Sequence, residues 1–176
     1  MKISGLLFTI ACLSVPGWCA DIHTETAKSV TDVHGDQNAT YRVMEDHVGT
    51  ITLKDQKTGL PIRTFHMNRN IKVREMFLLD KGKTVAASQA DHTVFWNTAT
   101  GREVGRLDQR VQGFSHDQTK LFTWHRGFLS LYSYPSLKLI GTLNNESRMG
   151  VEAYLFSPDD RYLAVQLATG RPEAEE

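Results

Sequence analysis

Short apolar runs alternate with turn residues along most of this chain. VAASQ (Val85 to Gln89), KLFTW (Lys120 to Trp124) and YLAVQ (Tyr162 to Gln166) are rich in apolar and β-favouring side chains. Each is preceded by turn chemistry, namely Asp80-Lys81-Gly82-Lys83, His116-Asp117-Gln118 and Pro158-Asp159-Asp160. Proline presets φ at the first central position of a type I turn, and Asp bonds back to its own backbone. The pattern therefore predicts hairpins. Near the end, Tyr154 to Ser157 is one strand, Pro158 to Arg161 the turn, and Tyr162 to Leu167 the next strand. ITL (Ile51 to Leu53) and TVFW (Thr93 to Trp96) each lead to a Thr-Gly turn, after which PIRTF or EVGRL supplies a further strand. No stretch after Asp21 sustains a 3.6-residue apolar period. Ile71 to Leu79 reads as strand, since Val73, Met76 and Phe77 do not repeat at helical spacing.

The bursts recur. EDHVGTITLKDQKTGLPIRTF (Glu45 to Phe65) resembles TWHRGFLSLYSYPSLKLIGTL (Thr123 to Leu143), with His47 over His125, Gly49 over Gly127 and Leu53 over Leu131, a spacing of 78. Between them, TATGREVGR parallels QKTGLPIRT, with Gly59 and Gly101 separated by 42. FLLDKGKTVAA, FSHDQTKLFTW and FSPDDRYLAVQ align on Phe77, Phe114 and Phe156, which are 37 and 42 apart. A strand-rich pattern repeating near forty residues has the period of a propeller, in which four strands make one blade.

On these residues the chain resembles the WD-repeat (WD40-like) family in a degenerate, bacterial secreted form. ADHTVFWNTATGREVGRL is similar to the second half of a WD blade and FSPDDRYLAV to the first half; the likeness covers residues 29–170. Trp96-Asn97 stands where the family has Trp-Asp, the matching pairs are Lys54-Asp55 and Tyr132-Ser133, and the family's Gly-His pair is absent. The family stiffens each blade with a buried His, Ser or Thr, Asp and Trp network. The resemblance implies part of it from Asp91, Thr93 and Trp96. It also implies that Phe77, Phe114, Trp124 and Phe156 are structural blade positions that pack between blades.

The expected fold is all-β: a partial beta-propeller of about three and a half four-stranded blades. The blades run Ser29 to Phe65, Ile71 to Leu107, Gln112 to Leu143, and from Val151 over 151–170. A half-ring exposes strand edges, and exposed edges invite pairing with another chain. Two expectations follow: a shortened relative of a larger propeller, or one half of a homodimer whose ring is completed across the interface.

The first twenty residues change the picture. MKISGLLFTIACLSVPGWCA has Lys2, an apolar run from Ile3 to Val15, then Pro16 and Gly17 before Cys19-Ala20. That is the layout of a secretory signal, with the apolar run too short to span a bilayer. Cleavage after Ala20 places Trp18 at the third residue before the cut; cleavage after Cys19 places Gly17 there. A lipoprotein signal needs Leu three before Cys12 or Cys19, where Thr9 and Pro16 stand. Residues 21–176 then form the repeat domain, secreted or periplasmic. Both cysteines leave with the leader on cleavage after Ala20, so packing alone stabilises the mature chain.

Charge adds little. Twenty Lys and Arg balance twenty Asp and Glu, which gives no reason to expect nucleic acid, or a membrane beyond the signal peptide, as partner. Seven histidines raise a metal reading, yet no pair has ligand spacing within one element. His47, His92 and His125 fall in the turn before the third strand of a blade and form a possible rim. No Gly-x-Ser-x-Gly elbow, phosphate loop or dinucleotide fingerprint occurs. Asn38 and Asn145 begin Asn-x-Ser/Thr sites, relevant where secreted chains are glycosylated. The expected function is a non-catalytic binding module for a protein partner, without cofactor. The alternatives are a propeller enzyme of the hydrolase, lactonase or quinone-linked dehydrogenase kind, and a truncated product without function of its own.

Overall fold

Thirteen strands and no α-helix make up the described residues, 41–144 and 150–168 of a computed structural model. The expected leader, the strand expected from Ser29, and the Asn38 and Asn145 sites lie outside those residues. The first sheet holds β1 (Tyr41–His47), β2 (Thr50–Asp55) and β3 (Pro61–His66). The second holds β4 (Glu75–Leu79), β5 (Thr84–Ser88), β6 (Thr93–Asn97) and β7 (Glu103–Leu107). The third holds β8 (Val111–Phe114), β9 (Lys120–His125), β10 (Phe128–Ser133) and β11 (Leu139–Asn144), and the fourth β12 (Val151–Phe156) and β13 (Leu163–Leu167). Every sheet is antiparallel, with neighbours in chain order.

The turns repeat atom for atom. After β8, the Ser115 hydroxyl donates to Asp117 Oδ1 at 2.7 Å and accepts from Lys120 N at 3.0 Å, and Gln118 sits at φ 56°. Forty-two residues later Ser157, Asp159, Asp160 and Tyr162 do the same at 2.6 Å, 3.0 Å and φ 53°. The turn after β2 hangs on Asp55 Oδ1, which accepts from Thr58 N and Oγ1 at 2.8 and 3.0 Å. The turn after β6 hangs on Asn97 Oδ1, which accepts from Thr100 N and Oγ1 at 2.9 and 3.1 Å. Gly59 and Gly101 close these two turns at φ 70° and 72°, in the left-handed region that glycine enters without a Cβ penalty. The outer strands share a bulge as well, with register shifts at Leu53/Lys54, Phe95/Trp96 and Leu131/Tyr132. Bulges there twist an edge away from further pairing.

Alternation along each strand sends side chains to opposite faces, and three apolar clusters result. Val43, Ile51, Leu53 and Phe65 of the first sheet meet Met76, Leu78, Val85, Val94 and Trp96 of the second. The second sheet's other face gives Phe77, Leu79, Ala86 and Phe95, which meet Val111, Leu121, Tyr134 and Phe114 of the third. Phe122 and Leu129 then meet Phe156, Tyr154, Leu163 and Val165. The sheets therefore stack face on face in chain order. The second is buried on both sides along β4 to β6. Each fully buried large side chain contributes about 1.5–3 kcal/mol.

The register corrects one alignment. Leu78 pairs with Val85, Phe114 with Leu121 and Phe156 with Leu163, each pair seven residues apart across its turn. Leu78, Phe114 and Phe156 all face the preceding sheet, whereas Phe77 faces the following one. Leu78 is the counterpart of Phe114 and Phe156, one residue beyond Phe77.

Candidate functional site

The hairpin turns fall at two ends of the stack, because strands in every sheet alternate in direction. One end carries the turns after β4, β8 and β12. In the turns after β8 and β12 the left-handed residue reaches back to the preceding sheet. Gln118 Oε1 accepts from Asp80 N at 2.7 Å. Asp160 accepts from His116 N and Nδ1 at 2.9 and 2.8 Å, and from Asp117 N at 2.8 Å. Burial raises the Asp160 carboxyl, but these amide and imidazole donors outweigh it and hold the group below the usual carboxylate range. Asp117 is likewise raised by burial, and the Ser115 hydroxyl and the Thr119 donors pull it down to about 2. The sequence marks Asp159-Asp160 only as a turn. Asp159 serves its own turn, while Asp160 is 7 % exposed and joins two sheets.

Asp80 also accepts from the Tyr134 hydroxyl at 2.6 Å and from Thr84 Oγ1 at 3.0 Å. Burial, and then the hydrogen bond to Asp80, push the Tyr134 hydroxyl well above its ordinary value. Beside this pair a recess of about 120 Å³ opens between Phe95, Val104, Gly105, Pro135 and Leu137. Small-molecule sites occupy about 300–1,000 Å³, so the recess holds a few waters at most.

The other end carries the expected histidine rim. His47 ends β1 and His125 ends β9, both exposed. The third equivalent place belongs to Gln89, not His92. Gln89 N bonds His92 O across the turn, and His125 pairs with Phe128 in the same three-residue relation. His92 bonds Asp91 Oδ1 through Nδ1 at 2.7 Å, and the hydrogen bond from His92 lowers the Asp91 carboxyl. Gln89 is fully buried and clamps the connection from β3 to β4, its Nε2 donating to Asn68 O and Ile71 O. Among the described residues no three His, Cys, Asp or Glu gather as metal ligands.

The network implied by Asp91, Thr93 and Trp96 takes a different form. Thr93 faces the third sheet, Trp96 faces the first against Phe65 with ring centres 5.3 Å apart, and Asp91 is exposed in the turn. Odd and even positions of one strand cannot share a face. A different polar seam runs through Thr93. Its hydroxyl bonds Ser88 Oγ at 2.7 Å, donates to Gln109 O at 2.9 Å and accepts from Val111 N at 2.9 Å. The Gln109 side chain in turn accepts from the Thr123 and Tyr132 hydroxyls. This seam ties the second sheet to the third. Ser, Thr and Gln carry no distinctive spacing, so nothing in the sequence signals it.

The expected packing aromatics occupy the sheet interfaces. Phe77 meets Phe114 edge-on at 4.9 Å, Phe114 meets Tyr134 at 5.6 Å, and Phe156 lies 6.1 Å from Phe122. Trp124 is half-buried towards the fourth sheet. Glu75 pairs with Arg110 beside the interior. Burial, reinforced by the Glu75 charge, pushes the Tyr154 hydroxyl up to about 12. Among the described residues no helix is long and apolar enough to cross a membrane. No protein-family model matches the chain, and a search of curated proteins finds no match.

Proposed function

We propose that this chain is an exported, secreted or periplasmic, WD-repeat-like propeller module that binds a protein partner and performs no catalysis. One observation carries the reading. Antiparallel meanders of two to four described strands repeat with the same turn hydrogen bonds forty-two residues apart and stack face on face in chain order. Sheets arranged this way present rows of turns at both ends, and such rows bind partners without catalytic groups. The row bearing the exposed His47 and His125 is the better candidate. The opposite row spends its polar groups on the Asp160 and Gln118 bonds between sheets.

The test uses the full chain, residues 1–20 included and tagged at its C-terminus, in its native host. Fractionation should place it outside the cytoplasm. Affinity purification should retain a partner that the combined His47→Asp, His125→Asp variant releases. Retention by that variant, or turnover of ester or lactone substrates by the purified chain, would defeat the proposal.

A further inference from the structure

The outer strands β3, β7 and β11 share a feature that core packing does not use. Across the turns before them, Asp55 N, Asn97 N and Ser133 N bond the carbonyls of Leu60, Arg102 and Lys138. Those three residues are therefore equivalent, and two places on stand Ile62, Val104 and Ile140. In each sheet this residue is the extra one of the bulge. Leu53 pairs with Arg63 and Lys54 with Pro61, which skips Ile62. Val104 is skipped between Glu103 and Gly105, and Ile140 between Leu139 and Gly141. A bulge re-aims a side chain. Here the three skipped residues are β-branched and apolar, and they are 45 %, 60 % and 54 % exposed. Leu60 and Leu139 beside them are exposed too. Five of the eight large apolar side chains exposed among the described residues thus lie where an outer strand begins.

The outer strands are neighbours at this end. Arg63 of β3 bonds the turn before β7, and a Cβ on Gly105 of β7 would stand 2.8 Å from Leu137, in the turn before β11. Stacked sheets lie about 10 Å apart, so the row from Ile62 to Ile140 spans roughly 20 Å. The turns bordering it carry Lys57, Arg102 and Lys138 and one carboxylate, Asp55. Asp55 accepts from its own turn amides, and none of the three cations has an ion-pair partner among the described residues. The charge balance of the whole chain conceals this local surplus.

We propose that this row is a membrane-surface contact: Ile62, Val104 and Ile140 enter the headgroup boundary of an anionic lipid layer, and Lys57, Arg102 and Lys138 meet its phosphates. The observations favour a lipid surface over a polypeptide. Bulges interrupt all three outer ladders, so an added strand finds no regular edge. A docking helix lays its apolar face in a groove, whereas this row protrudes and the recess beside it holds only about 120 Å³. A lipid layer needs neither edge nor groove. It accepts separate protruding apolar side chains, and each Lys or Arg at its anionic surface adds attraction. The contact goes beyond the partner-binding reading and uses none of its histidines.

The probe is a vesicle of equal parts phosphatidylcholine and phosphatidylglycerol, sedimented with the chain from residue 21, which lacks the apolar leader. The chain should sediment with these vesicles and not with phosphatidylcholine alone, and salt should weaken the binding. Ile62→Thr, Val104→Thr and Ile140→Thr together keep β-branched residues in the strands and should lower affinity roughly tenfold or more. Arg102→Gln with Lys138→Gln should lower it about tenfold and flatten the salt dependence. Leu155→Thr replaces an apolar residue of similar exposure on the fourth sheet and should bind within about twofold of the parent. Circular dichroism and melting should be unchanged in every variant. A dye on Val104→Cys should be quenched by brominated acyl chains, and the same dye on Leu155→Cys should not. Absent sedimentation, equal binding to both vesicle types, or unchanged affinity of the threonine or glutamine variants would each overturn the proposal. So would an equal loss with Leu155→Thr, or an acidic protein that binds through this row and is not displaced by the vesicles. The His47→Asp, His125→Asp test reads the opposite end of the stack, so the two proposals fail separately.

Discussion

The second and fourth sheets are built from the same repeat and meet opposite fates. Val85, Ala86 and Ala87 of β5 are fully buried, because a sheet lies on each side and a strand on each edge. Leu163, Ala164 and Val165 of β13 hold the corresponding places and are all half-exposed. Leu155, one residue before the aligned Phe156, is 50 % exposed, while Phe77 in the equivalent place is 1 % exposed. Local sequence makes the hairpin in both cases. Stacking makes the core in only one. A sheet in this protein acquires its stability from its neighbours, as in repeat proteins whose energetics are a sum of unit and interface contributions.

That contrast predicts the largest effect. Phe95→Ala removes a ring that contacts Phe114 and Tyr134 across the interface between the second and third sheets. It should cost about 3–5 kcal/mol in urea unfolding of the chain from residue 21. Leu155→Ala should change stability by less than about 0.5 kcal/mol. If the two substitutions cost the same, the fourth sheet is clad as fully as the second.

What the sequence revealed follows the same division. Turns were legible because their physics is local: Asp55, Asn97, Asp117 and Asp159 bond amides two or three residues on, and Gly59 and Gly101 supply left-handed corners. Strands were legible from apolar runs, so Pro158 to Arg161 is a hairpin turn as expected. Facing was less legible. Aligning on Phe77 placed it one residue off, since two adjacent apolar residues, Phe77 and Leu78, each belong to a buried face. Gln89 and His92 exchange places for a related reason: only the pairing across the turn tells which residue ends the strand. Long-range polar bonds were not legible at all. Neither the Thr93 seam nor the reach of Asp160 to His116 follows from spacing, because the partners meet only once the sheets stack.

The Asp160 bonds sharpen the comparison at the fourth sheet, where apolar cladding is thin. Asp160→Asn puts an amide donor against the His116 and Asp117 amides and should cost about 1–3 kcal/mol. Asp159→Asn, in an exposed turn, should be close to neutral. Equal costs would mean that the fourth sheet is held by its hairpin rather than by its bond to the third.

Acid should act through the same residues. Asp117 and Asp160 both sit below the ordinary carboxylate value of 3.8 in the folded chain. A depressed folded value contributes stability that is fully present above the unfolded value and is lost as pH falls through the folded one. For Asp117 the loss runs from about pH 4 down to about 2. Melting temperature followed from pH 6 to pH 2 should decline in that window. Asp160→Asn should flatten part of the decline. A melting temperature independent of pH there would show that neither carboxylate carries its bonds in solution.

The smallest effect compares one turn in two settings. Gly59 and Gly101 close matching turns with nearly identical φ, so replacement by alanine strains both by about 1 kcal/mol. Around Gly59 a new Cβ meets nothing within 4 Å, whereas at Gly101 it would lie 2.9 Å from Arg63 Nη1. Arg63 reaches over from β3 and donates to Thr98 O and Ala99 O, both at 2.8 Å, tying the first sheet to the second sheet's turn. Gly101→Ala should therefore cost more than Gly59→Ala, the excess being the displaced guanidinium bonds. In an Arg63→Ala background the excess should vanish and the two glycines should become equivalent. A persistent difference in that background would mean that the turn itself, rather than the neighbouring sheet, sets the cost.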